Sequence, residues 1–153
     1  MKKLKPILFA FAASAMLIFF ICCNKSGSAG SNNFTWTFGG ATYTATLDSA
    51  YINYPLISYY IVAITGTNFN TNFNQKVGFG LTSFNTGSFS IGSGGNTLNF
   101  IDVAAWDHQG LSGTLNITSN TNNHLSGNFS VIVNGPSGNA PITGSFTNVS
   151  IRP

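Results

Sequence analysis

The sequence predicts an all-β fold, a single antiparallel β-sandwich or barrel, mostly meander or hairpin connected, that follows an N-terminal signal segment. Three observations predict it. After about residue 33, apolar and polar residues alternate with the period of two that a half-buried strand requires. Asn, Gly and Ser separate the alternating runs, as they do in turns. No stretch of this region combines helical spacing with helix caps.

The first elements form a predicted hairpin. Residues 34–38 alternate apolar and polar, Gly39-Gly40 supplies a turn that tolerates positive φ, and residues 41–47 resume the alternation. Residues 56–64 are nearly continuous Leu, Ile, Tyr and Val, which predicts a strand covered on both faces. Further strands are predicted over residues 77–82, 89–91 and 98–105.

Three short segments near the end of the chain share one pattern: apolar, hydroxyl, glycine, small polar, apolar. They are residues 111–115, 125–129 and 142–146, and their spacings of 14 and 17 residues are too irregular for a solenoid. We interpret them as strands of an antiparallel meander. Each places a glycine (Gly113, Gly127 or Gly144) where the sheet coils sharply or an aromatic ring covers the backbone.

The N-terminal residues have the organisation of an export signal. Residues 1–5 are basic and residues 7–21 are uncharged and apolar, a run shorter than the ~20 residues of a membrane-spanning helix. We therefore predict a signal peptide over residues 1–22, with an uncleaved transmembrane anchor as the alternative. Residues 23–33 are predicted to be the lipidated N-terminus and a flexible Ser/Gly/Asn tether, and residues 34–153 one all-β domain.

The end of the apolar run, Phe20-Ile21-Cys22-Cys23, resembles the lipobox of bacterial lipoproteins. In that family the cysteine after the apolar run is lipidated through sulfur and becomes the new N-terminus, and a small residue precedes it. The resemblance implies lipidation of Cys23, with Cys22 as the alternative, although Phe20 replaces the usual Leu. It also implies a protein anchored to a membrane of the cell envelope, at the outer membrane or the periplasmic face, by several acyl chains.

The formal charge of +3 does not predict a nucleic-acid partner, because the three lysines of residues 1–5 are lost with the leader. The remaining charged residues balance: Lys25, Lys76 and Arg152 against Asp48, Asp102 and Asp107. Nucleic-acid affinity depends mainly on phosphate neutralisation, which three scattered cations do not supply.

Three parts of the domain carry a second resemblance: the hairpin at residues 38–45, the strand at 125–129 and the closing segment at 142–149. They resemble the small uncharacterised lipoproteins common in the Bacteroidota. The resemblance spans most of the predicted domain and implies an antiparallel β-sandwich or barrel at the cell envelope. It carries over no activity and no functional residue.

Catalytic residue types are sparse, with three Asp, two His and no Glu in the whole chain. Asp102, Asp107 and His108 form the one cluster that could orient a base or hold a metal. Residues 107–110 have the composition of a turn, in which such side chains are solvated. We therefore predict no enzyme, catalytic residue, metal or cofactor, with a hydrolase that uses this cluster as a distant alternative.

Aromatic rings are the better candidates for binding, since sugars commonly stack on them. The candidate ligand-binding residues are Trp36, Tyr54, Tyr59, Phe69, Phe73 and Trp106. The competing interpretation places these rings in the core, where they contribute most. We expect a non-catalytic binding or adhesion module for a glycan or a small apolar ligand. A purely structural surface lipoprotein is the alternative.

Overall fold

The computed structural model describes residues 33–53, 58–66 and 75–152. These residues form ten strands. Their bounds are β1 Asn33–Phe38, β2 Ala41–Thr44, β3 Leu47–Asn53, β4 Ser58–Ile64, β5 Lys76–Leu81, β6 Gly87–Ile91, β7 Thr97–Ile101, β8 Asp107–Thr121, β9 His124–Val133 and β10 Ala140–Arg152. Within the described ranges there is no helix long and apolar enough to cross a membrane.

Seven strands close into a barrel in the order β3, β4, β5, β7, β8, β9 and β10, with β10 returning to β3. The remaining strands extend the sheet, β1 and β2 beyond β10 and β6 beside β8. Every pairing is antiparallel except the closure, where Ile151 and Arg152 run parallel to Ala50 and Tyr51. The all-β prediction is confirmed, and the sheet closes as a barrel.

The strand pairings divide into two sheets that share β8 and β10. One, here called the six-stranded sheet, has the order β2-β1-β10-β9-β8-β6. The other, the second sheet, contains β3, β4, β5 and β7 with the start of β8 and the end of β10. The alternating apolar residues of both sheets face inward, and the largest buried rings are Phe34, Trp36, Phe79, Phe100 and Phe146.

The Gly39-Gly40 turn is as predicted, with φ of +59° and +80°, the positive sign that a type I′ hairpin turn requires at both positions. Two predicted strands are shorter than expected. The run at residues 41–47 breaks because the Ala45 amide donates to Phe34 and the Thr46 amide donates to Ile64, so the chain passes from one sheet to the other. The run at residues 98–105 ends at Ile101, where a turn begins.

Candidate functional site

The candidate site lies at the end of the barrel where β7 passes into β8 and β9 passes into β10. Two loops meet there, residues 102–106 and residues 134–139. Phe38, at the end of β1, packs against the same region, 5.1 Å from His108 between ring centroids. The barrel framework thus fixes both loops close to their bases.

The 102–106 loop is closed by its own hydrogen bonds. Asp102 Oδ1 accepts from the amides of Ala104, at 2.8 Å, and Trp106, at 3.1 Å, which is an Asx-type turn. Ala105 has a φ of +61°, a region that residues with a Cβ seldom occupy. The result is a braced loop that presents Val103, 68% exposed, and Trp106, 55% exposed, to solvent.

His108 joins the two loops from beneath. Its Nε2 lies 3.0 Å from Asp102 Oδ2, and its Nδ1 lies 2.5 Å from the carbonyl oxygen of Asn134. The ring is 2% exposed and stacks on Phe100 at 5.4 Å. A carboxylate and a carbonyl oxygen both accept, so in each of these bonds the ring nitrogen is the donor, and the tautomer decides which bond a neutral ring makes.

The predicted turn at residues 107–110 is therefore wrong. These residues begin β8, and Phe100 and His108 are register partners on β7 and β8. The turn between β7 and β8 lies in the preceding loop, residues 102–106, and alternation along β8 points His108 inward. Of the three clustered residues, Asp102 and His108 bond to each other. Asp107 is exposed to solvent.

Asp102 is held in its ionised form by these contacts. Burial on its own raises the pKa of Asp102. The hydrogen bond from His108 and those from the Trp106 and Ala104 amides lower it by more, so the pKa lies below the ordinary value of 3.8. The ionised carboxylate thus bonds two backbone amides of the loop and the His108 ring.

Beside the indole of Trp106 lies a cleft of about 210 Å³, lined by Trp106, Asp107, His108, Asn134, Gly135 and Pro136. Asn134 is fixed by the bond that its Oδ1 accepts from the Gln109 amide at 2.6 Å. A Cβ on Gly135 would lie 2.9 Å from the carbonyl oxygen of Gly138, so glycine allows this loop to turn tightly beside the imidazole. The cleft combines an exposed flat ring with a carboxylate and an amide, which suits stacking and hydrogen bonding.

The other predicted binding residues lie elsewhere. Trp36 is 1% exposed, donates from Nε1 to Gln75 at 3.2 Å and stacks on Tyr43, so it is a core residue. Its place on the inward face of β1 explains this burial. Tyr59 is half-buried and packs against Phe84, with 5.0 Å between ring centroids. Tyr54, Phe69, Phe73, Cys22 and Cys23 lie outside the described residues.

Sequence reasoning did not single out Asn134, Gly135 or Pro136. The available signal was the composition of residues 134–139, Asn-Gly-Pro-Ser-Gly-Asn, which marks a loop between strands. Composition alone does not show that this loop faces Trp106, since the two are brought together by the pairing of β8 with β9.

No protein-family model, no curated protein and no solved structure matches this chain. The resemblance to lipoproteins of the Bacteroidota therefore stays a prediction. In the described ranges, no group of three His, Cys, Asp or Glu side chains is placed to hold a metal ion. The function assigned to the cleft below rests on its own residues.

Proposed function

We propose that the domain is a non-catalytic binding module of the cell envelope, and that the Trp106 cleft holds a small uncharged sugar. The observation that carries the proposal is an exposed indole on a braced loop, next to Asp107 and Asn134. Sugar rings present apolar C–H faces and hydroxyl edges. An aromatic face with nearby hydrogen-bonding groups matches both.

The bracing of the loop supports a binding role. An exposed indole contributes little to the core, yet Asp102 gives the loop two amide bonds and His108 adds a third contact. Ala105 is held in a backbone conformation that costs energy without visible benefit to packing. A loop fixed in advance loses less entropy when a ligand binds, so pre-organisation of Trp106 favours recognition.

The alternatives have weaker support. A hydrolase would need a base, and both nitrogens of His108 are already bonded and the ring is buried. A purely structural lipoprotein predicts neither a cleft nor an exposed indole. Both features occur together at one end of this barrel.

The proposed membrane anchor is compatible with the position of the cleft. β1 begins at Asn33 and ends at Phe38, next to His108. A strand rises about 3.3 Å per residue, so the chain enters the domain roughly 17 Å from the end that bears the cleft. An acyl anchor on Cys23 would therefore be connected to the domain at the end of β1 away from the cleft.

The proposal is tested by titrating residues 24–153 with neutral mono- and disaccharides, read by isothermal titration calorimetry, which does not depend on the Trp106 fluorophore. We expect millimolar or tighter binding that Trp106→Ala abolishes. Tyr51→Ala, which removes another exposed ring, serves as the control. Binding should be similar in 0.1 M and 1 M salt, since screening lengths of about 10 Å and 3 Å matter only for charge pairs. Binding that survives in Trp106→Ala, or no binding by any sugar, would contradict the proposal.

A further inference from the structure

The outer face of the six-stranded sheet carries a two-row array of short uncharged polar side chains, one from each strand in each row. The first row is Ser90, Thr114, Ser130, Thr143, Thr37 and Thr42. The second row is Ser88, Asn116, Asn128, Ser145, Thr35 and Thr44. We call these twelve residues the hydroxyl array, and we propose that it is a surface for binding an uncharged polysaccharide.

The array follows from strand register. Strand residues alternate between faces, and the inward positions are apolar or glycine, for example Phe129 and Val131 on β9. The intervening Asn128 and Ser130 therefore point outward, and the same holds on the other five strands. Neighbouring strands lie about 4.8 Å apart and alternate residues about 6.7 Å apart. The array is thus a regular grid six strands wide.

Cross-strand hydrogen bonds hold parts of the grid in place. Thr37 and Thr42 share a hydroxyl–hydroxyl bond of 2.9 Å. Asn116 Nδ2 donates to Asn128 Oδ1 at 3.1 Å, and the Thr35 and Ser145 hydroxyls lie 3.5 Å apart. Every hydroxyl can both donate and accept, so each retains capacity for a further partner.

Charge is segregated away from this face. The charged residues of the described ranges lie on the second sheet, in the 102–106 loop or at its junction with β8: Asp48, Lys76, Asp102, Asp107 and Arg152. None belongs to the array, even though β2 and β6 are open edges of the six-stranded sheet. Exposed sheet edges are ordinarily protected by charged side chains. The array is therefore an uncharged surface, which a neutral partner can cover without desolvating a charged side chain.

An uncharged polysaccharide matches the array in chemistry and shape. Its hydroxyls both donate and accept, and it carries no charge that would need a counterion. Each hydrogen bond to the array replaces one to water and therefore contributes little free energy of binding. A long chain that contacts many positions of the array can bind it, whereas a single sugar cannot. Neighbouring strands are rotated by about 20–25°, which makes the face saddle-shaped. A flexible chain can follow this shape, whereas a planar crystal surface such as ice touches only part of it.

The hydroxyl array shares no residue with the Trp106 cleft, so each can be altered without replacing a residue of the other. The experiment is affinity electrophoresis of residues 24–153 through gels containing dextran, amylose, xyloglucan or galactomannan. The array variant combines Thr37→Val, Thr114→Val, Thr143→Val and Ser130→Ala, which removes four hydroxyls with little change in shape. The control combines Thr97→Val and Thr121→Val, which lie outside the array. Circular dichroism and melting temperatures show whether each variant folds, and Ser130→Lys alone provides a milder test.

We expect retardation by at least one polymer, with affinity for its oligomers rising with length. The array variant should bind at least tenfold more weakly, while the control variant binds as the wild type does. Loss in Trp106→Ala with retention in the array variant would place polymer binding in the cleft and overturn the inference. Retardation by none of the four polymers would overturn it as well. So would self-association or depression of ice growth that depends on the array without polysaccharide binding.

Discussion

The phenyl ring of Phe146 covers the backbone of Gly127, its antiparallel partner on β9, so that a Cβ at Gly127 would lie 2.5 Å from the Cζ atom of the ring. The pair two residues further along each strand repeats the contact with the roles exchanged. Phe129 on β9 covers Gly144 on β10, and a Cβ at Gly144 would lie 2.5 Å from the Cζ atom of Phe129. A Cβ at Gly127 would also clash with the carbonyl oxygen of Asn116, and a Cβ at Gly144 would clash with that of Thr35. The two Gly-X-Phe segments therefore form one reciprocal contact in the core, which confirms the interpretation of two of the three repeat segments.

Gly127→Val and Gly144→Val should each destabilise the domain by about 1–3 kcal/mol or more, because the side chain meets both a ring and a backbone atom. Gly78→Val is the matched control. It is also a strand glycine, but a Cβ there would have nothing nearer than the Asn99 oxygen at 3.9 Å. Thermal and urea unfolding measure the differences. Equal melting temperatures for all three variants would show that the ring contacts have no structural importance.

Asp102 should contribute stability that disappears in acid. Its folded-state pKa lies below the ordinary 3.8, so the contribution is complete above that pH and is lost as the pH falls through the folded-state value. Asp102→Asn keeps an acceptor for the loop amides but removes the charge that faces His108. We expect the wild type to exceed this variant in melting temperature at pH 7, and the gap to close towards pH 2. A gap that is constant over this range would contradict the assignment.

Asp48 should behave in the opposite way. Burial raises its pKa above 3.8, and the attraction of Arg152 only partly offsets this. A raised folded-state pKa means that stability is greatest while the group is protonated and declines as the pH rises through that value. Asp48→Asn should therefore be slightly more stable than the wild type at pH 7 and equal to it near pH 3. A variant that is less stable at pH 7 would show that Asp48 contributes through its charge.

The proposed lipid anchor makes a separate prediction in cells. Cys23→Ser should leave the precursor unprocessed and without label from a radioactive fatty acid, whereas Cys22→Ser should still be labelled. The reason is the compact residue before Cys23, compared with the bulky Ile21 before Cys22. Label that persists in the Cys23 variant and vanishes in the Cys22 variant would move the site by one residue.

The strands were predictable wherever a local pattern decides the structure. Alternation located β1 and β5, and the glycine pair located the first turn, because both signals involve neighbouring residues. Two features depend on distant residues and were not predictable. The break at Ala45 and Thr46 is a change of sheet, and the barrel closes through a parallel pair of only two residues from each strand.

In the candidate site too, features set by neighbouring residues were predictable and features set by distant residues were not. Trp106 could be selected because it lies just outside an alternating run, whereas Trp36 occupies an inward position of the strand β1 and is buried. The polar residues around His108 read locally as a solvated turn. Its burial arises from partners at positions 38, 100 and 134, which only the tertiary fold brings together.

The most direct test of the proposed binding site uses the two tryptophan indole N–H signals in a ¹H–¹⁵N correlation spectrum, assigned with Trp106→Phe. One indole is exposed at the cleft, and the other is buried and bonded to Gln75. Addition of the best sugar from the panel should shift the Trp106 indole and the amides of Asn134 and Gly135, and leave the Trp36 indole unchanged. A saturable shift of the Trp36 signal, or saturation with the Trp106 signal unmoved, would contradict binding at this cleft.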